Sequence, residues 1–102
     1  MFHTEKSPEL KKEIAKGRHL VLFYASWCPD CARFMPTFDS LPSKTKLPLA
    51  KAQTDEDENS IWGDYKIERV PAVVLFENGK EKARVAETGG LIDKKKLEKM
   101  LK

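Results

Sequence analysis

Residues 20–31 read LVLFYASWCPDC, and this stretch decides the fold. Leu20 to Ala25 is an unbroken apolar run of strand length, the pattern of a strand covered on both faces. A helix is expected to follow from Pro29 to about Ser40, because proline at the first helical position has no N–H to lose and a preset φ. Phe34 and Phe38 share one face of that helix. Pro36 lies in its interior and is expected to kink it. Cys28 and Cys31 therefore stand where a buried strand hands over to a helix. Cys28 meets the free N–H groups and positive dipole end of the helix, which stabilise a thiolate. Cys31 lies one turn further in, close enough to close a disulfide without unwinding the helix. The first cysteine can attack and the second can resolve. Asp30, in the same turn, suits the dipole but opposes a neighbouring thiolate.

Working outward, Ser7-Pro8 reads as a helix start, with Ser7 as N-cap. Leu10 and Ile14 share a face, and Gly17 ends that segment. Leu47 to Thr54 is a second strand. The acidic run Asp55 to Glu58 reads as a solvated loop leading into a short helix marked by Ile61, Trp62 and Tyr65, whose spacing suits the core. Ala72 to Phe76 is another fully apolar strand. Asn78-Gly79 is a hairpin signal that pairs it with Lys82 to Ala86. Gly89-Gly90 marks a turn. Asp93 caps a last helix with Leu97, Met100 and Leu101 on one face. His19 is read as a solvated polar residue. Strand–helix–strand implies parallel strands with a right-handed crossover, and the hairpin adds antiparallel ones. The expected architecture is α/β: a mixed, twisted sheet with helices on both faces. It has four strands, or five if Phe2–Thr4 forms a first one. A chain of 102 residues is read as a single domain, 1–102.

Composition narrows the function. Two cysteines are too few for a disulfide-stapled scaffold, and two cysteines with two histidines make a poor structural zinc set. Hydrophobic residues at 40% place the chain outside the disordered class. The net charge of +3 is carried by residues 93–102, with five lysines and two acids; the remainder sums to zero. The lysine-rich helix reads as a solvated face rather than a nucleic-acid surface. No apolar run approaches a membrane span. The N-terminus carries Glu5, Glu9 and Glu13 and has no signal-type core, so a cytoplasmic location is expected; the alternative is a chain whose leader has been removed.

The motifs taken in order resemble the thioredoxin family, from about Leu20 to Leu101. Trp27-Cys28-x-x-Cys31 matches the active-site signature, in the Trp-Cys-Pro-Asp-Cys variant of some thioredoxin-like proteins. Pro36, five residues after Cys31, matches the kinking proline. Val70-Pro71 matches a dipeptide with a cis proline that faces the cysteines. Residues 72–80, AVVLFENGK, resemble the strand and turn that follow it, and Gly89 matches a glycine of the substrate groove. Two departures stand out. Pro29-Asp30 replaces the usual Gly-Pro. Leu22, six residues before Cys28, replaces a buried aspartate that in the family assists deprotonation of the resolving thiol. Lys51 matches the lysine that accompanies that acid.

The resemblance implies a thiol–disulfide oxidoreductase that reduces protein disulfides through the Cys28/Cys31 couple. Cys28 and Cys31 would be catalytic. Pro29, Asp30 and Lys51 would tune them. Trp27, Val70, Pro71 and Gly89 would contact substrate, with the Val70 backbone pairing with an extended peptide. It implies no cofactor and no metal, no nucleic acid and no membrane, and a monomer served by a thioredoxin reductase or another external electron donor. Pro after the first cysteine is also a glutaredoxin habit, so a glutathione-dependent enzyme is one alternative. A non-catalytic binding module of the same fold is another.

Overall fold

The computed structural model describes residues 1–101. Its core is the expected apolar strand, β2 (Arg18–Tyr24), which starts two residues earlier than the apolar run. Around it lie β1 (Phe2–Thr4), β3 (Leu49–Gln53), β4 (Ala72–Glu77) and β5 (Lys80–Ala86). The helices are α1 (Ser7–Ile14), α2 (Pro29–Asp39), α3 (Ile61–Asp64) and α4 (Lys94–Met100), with a 3-10 turn at Leu41–Ser43. The sheet order is β1-β3-β2-β4-β5. β3 runs parallel to both β1 and β2, whereas β4 is antiparallel to β2 and β5. The sheet is therefore mixed, with five strands.

β2 is central because alternate side chains feed two cores. Val21 and Phe23 pack with Leu10 and Ile14 of α1 and Ile61 of α3. Leu20 and Leu22 pack on the other face with Phe38 of α2 and Leu97 and Met100 of α4. Burying a side chain of this size is worth about 1.5–3 kcal/mol, so neither face can be made polar cheaply. Trp62 and Tyr65 pack against the first of these cores, as their spacing implies.

The hairpin turn works as its sequence requires. Asn78 has φ 52° and Gly79 φ 82°, the left-handed pair of a two-residue turn. Asn78 also clasps the bend after α1: its Oδ1 accepts from the Gly17 N–H at 2.8 Å, and its own N–H donates to the Gly17 carbonyl at 2.9 Å. Asp93 caps α4 through Oδ1, which accepts from the N–H groups of Lys95 and Lys96.

The fifth strand left open by the sequence does form, as three residues paired with β3. Two expectations need correcting. Ser7 does not cap α1; Lys6 holds the N-cap position, and the Ser7 hydroxyl donates to Asp64 Oδ2 at 2.6 Å. A carboxylate on α3 is the stronger acceptor, so the serine ties two helices together instead. His19 is buried, not solvated: it is the second residue of β2, and its Nε2 bonds to the Lys16 carbonyl at 2.8 Å. The polar neighbours of His19 in sequence concealed the strand that buries it.

Candidate active site

The end of β2 delivers Ala25, and the chain turns through Ser26 and Trp27 into α2. The turn is closed by the Cys28 N–H donating to the Ala25 carbonyl at 3.2 Å. Cys28 is the N-cap of α2 and has extended backbone, so its sulfur hangs over the first turn. There it accepts the Cys31 N–H at 3.1 Å. Both cysteines are free thiols, packed with Ala25 against Tyr24 and Val70. Cys28 keeps a sliver of surface, 6% exposed, while Cys31 is sealed at 1%. Burial pushes the Cys31 thiol up to about 12, and its hydrogen bond to Cys28 adds to the shift. Cys31 is thus a protonated thiol at neutral pH, and the more deeply buried of the two.

The Val70–Pro71 bond is cis. The Val70 carbonyl accepts the Cys28 S–H at 3.6 Å. Asp30, in the first turn of α2, pairs with Arg33. Its carboxylate also lies against Gly90, where a Cβ would meet it at 3.1–3.2 Å, and Gly90 has φ +84°. Gly89 and Gly90 form the tip of a loop closed by two backbone hydrogen bonds between Thr88 and Leu91. So Trp27, Cys28, Cys31, Val70 and Pro71 meet at one end of the sheet, and the Gly89-Gly90 loop meets them through Asp30.

Lys51 is placed otherwise. It stands opposite Leu22 in the β2–β3 register, but its Nζ pairs with Asp39, the last residue of α2, at 2.7 Å. Leu22 itself is fully buried among apolar neighbours. The lysine has found a carboxylate at the far end of the helix in place of one on β2.

A polar network that the sequence did not announce supports the rim. Asp55 follows β3 and binds the loop before Cys28: Oδ1 accepts from the Ser26 N–H and Oδ2 from the Ser26 hydroxyl, both at 2.7 Å. Its backbone carbonyl accepts the Trp27 indole N–H at 2.9 Å. Hydrogen bonds from Ser26, then from Gln53, hold the Asp55 carboxyl below the usual carboxylate range. Gln53 Nε2 donates to Asp55 Oδ2, and Gln53 Oε1 accepts from the Tyr24 hydroxyl at 3.0 Å. His3 Nε2 lies 2.7 Å from the same hydroxyl. Burial, and then the charges of Asp55, Glu5 and Cys31, push the Tyr24 phenol up. The signal for this network is the parallel β2–β3 register, which sets Tyr24 beside Gln53 and carries Ser26 to Asp55. Short-range patterns do not contain it.

Trp27 remains 58% exposed even though its indole N–H is satisfied. It presents an apolar face beside the thiol, the form of an interface anchor.

A family model described as Thioredoxin matches residues 2–102. A thioredoxin of Mycoplasmoides gallisepticum is 30% identical over 104 residues, covering 100% of both chains. One from Rickettsia felis is 36% identical over 86 residues, covering 80% of this chain and 81% of its own. Among solved structures, Fasciola hepatica thioredoxin superposes with a TM-score of 0.80 at 27% identity, covering 99% of this chain and 96% of the other.

Proposed function

This chain belongs to the thioredoxin family and is a thiol–disulfide oxidoreductase, and from that premise we propose that Cys28 is its attacking thiol and Cys31 its resolving thiol. The observation that carries the assignment is the asymmetry of burial: Cys28 has surface and Cys31 has almost none. In the first step the Cys28 thiolate attacks one sulfur of a substrate disulfide. A Cys28–substrate disulfide forms, and the other substrate sulfur leaves as a thiolate that takes a proton from solvent. In the second step Cys31 loses its proton and attacks Cys28 Sγ. The Cys28–Cys31 disulfide forms and the second substrate thiolate departs. The substrate gains two electrons and two protons, and the enzyme is left oxidised. The Cys31 N–H and the Val70 carbonyl, both within hydrogen-bonding reach of Cys28 Sγ, support a fixed position for the attacking atom.

Proteins of this family act on disulfides and draw electrons from a reductase. In this chain we assign substrate contact to Trp27, Val70, Pro71 and Gly89, and tuning of the pair to Pro29 and Asp30; Lys51, paired with Asp39 at the far end of α2, is not placed to tune it. We further take residues 1–102 as one domain that works as a cytoplasmic monomer recharged by a thioredoxin reductase. The chain has no helix among the described residues long and apolar enough to cross a membrane.

The test uses two variants and insulin as the disulfide substrate. Cys31→Ser should trap a covalent complex with insulin that a reductant releases. Cys28→Ser should be inactive and trap nothing. Trapping of insulin by Cys28→Ser, or none by Cys31→Ser, would sink the assignment.

A further inference from the structure

One carboxylate joins the two segments assigned to the substrate groove. Glu87 follows β5 directly, and its side chain is only 15% exposed. Its Oε2 accepts the Gly90 N–H at 2.7 Å. Its Oε1 lies 3.6 Å from Nη1 of Arg69, the residue before Val70. Its backbone N–H donates to the Pro71 carbonyl at 3.0 Å. Glu87 thus grips the Val70–Pro71 segment from both sides and the Gly89-Gly90 loop at its tip. On the other flank of that loop Asp30 rests against Gly90, with Arg33 as its own counter-ion. The loop is clamped between two carboxylates, and only the Glu87 carboxylate also reaches the proline segment.

We propose that Glu87 is a positioning residue that sets specificity, fixing the gap between the Val70–Pro71 and Gly89-Gly90 segments so that an extended peptide disulfide can lie across both. This rests on the groove assignment above. A small disulfide needs only to reach Cys28 Sγ. A peptide must also find both walls in place, and a loose wall has to be ordered at the moment of binding, at a cost in productive encounters. The two bonds of the carboxylate are unequal. The bond to the Gly90 N–H is short and charge-assisted, while the long contact to an exposed arginine contributes little. The hydrogen bond, rather than the ion pair, is the working part.

The experiment compares pre-reduced variants on insulin and on bis(hydroxyethyl) disulfide, each as a second-order rate constant. Glu87→Ala and Glu87→Asp, the second with an arm too short to span both segments, should lose roughly tenfold on insulin, the effect of one charge-assisted hydrogen bond. Both should stay within about twofold of wild type on the small disulfide, where neither wall is used. Glu87→Gln keeps the acceptor and should restore the insulin rate to within about twofold. If the alanine variant fails to fold, the aspartate variant decides the matter. Equal losses on both substrates, or unchanged insulin rates in the aspartate variant, would overturn the inference. A wild-type protein that reduces neither substrate would overturn the functional assignment and the inference together, which is a distinguishable result.

Discussion

The cysteine pair has a rim above it and a floor below it, and the two are built on opposite principles. The rim is polar and heavily bonded: Asp55 holds Ser26 through both oxygens and Trp27 through its carbonyl, and Gln53 and Tyr24 brace Asp55 from behind. The floor is dry. Leu22, in the strand that leads to the cysteines, is fully buried in apolar surroundings, and Lys51, its neighbour in the sheet, is turned to Asp39. The rim governs where Cys28 sits and what approaches it. In the proposed cycle the floor bears on how Cys31 loses a proton, and it offers no carboxylate at position 22. On that reading attack has a bonded rim behind it, while resolution must find its proton acceptor elsewhere than position 22.

The most forceful way to break that contrast is to rebuild the floor. Leu22→Asp should speed resolution of the Cys28–substrate disulfide by about tenfold or more, the scale of a positioned general base. It should also destabilise the fold by roughly 3 kcal/mol, since a carboxylate would replace packed apolar volume. Single-turnover kinetics and urea unfolding read the two effects separately. An unchanged resolution rate would show that proton removal is not limiting and that the dry floor has no kinetic meaning.

A smaller effect is expected from loosening the rim. Asp55→Asn keeps the shape but loses the charge that accepts from Ser26, and the attack of Cys28 on insulin should slow by roughly threefold. Because the Asp55 carboxyl is held below its ordinary range, its bonds persist above that range and are lost as pH falls through the lowered value. Trp27 fluorescence should therefore report an acid transition that Asp55→Asn lacks.

A last test sharpens the contrast from the floor side. Cys31 is raised from 9.0 to about 12, so the unfolded chain releases this proton first as the solution becomes alkaline. The sign follows: the stabilising contribution is complete below pH 9 and drains away toward pH 12. Reduced wild type should lose stability across that window more steeply than Cys31→Ser, in denaturant titrations at a series of pH values.

The sequence made the rigid parts of the fold easy to read. β2 and β4 are continuous apolar runs because both their faces are covered, and Asn78-Gly79 has the chemistry of its turn. The thiol pair was equally plain, because Cys28 and Cys31 depend only on a strand-to-helix junction. β1 was harder. Three residues hold too little periodicity to identify a strand, and this one exists by pairing with β3 nearly fifty positions away. A separation of 29 positions likewise hid Asp55 from Ser26, and no local pattern tied Glu87 to Arg69 and Gly90. His19 misled for a related reason: charged neighbours masked the register that buries its ring. What stayed illegible was side-chain chemistry between strands, which depends on register rather than on local pattern.

The two outer strands carry a further consequence. Unpaired strand edges invite other chains to add on, and a redox protein that repeatedly meets extended peptides is exposed to that hazard. Here one border is cut to the three residues of β1, too short to template a partner. The other, β5, presents Lys80, Glu81 and Lys82 in sequence at its exposed start. Charge on one flank and brevity on the other are both features that oppose edge-to-edge addition of a second sheet.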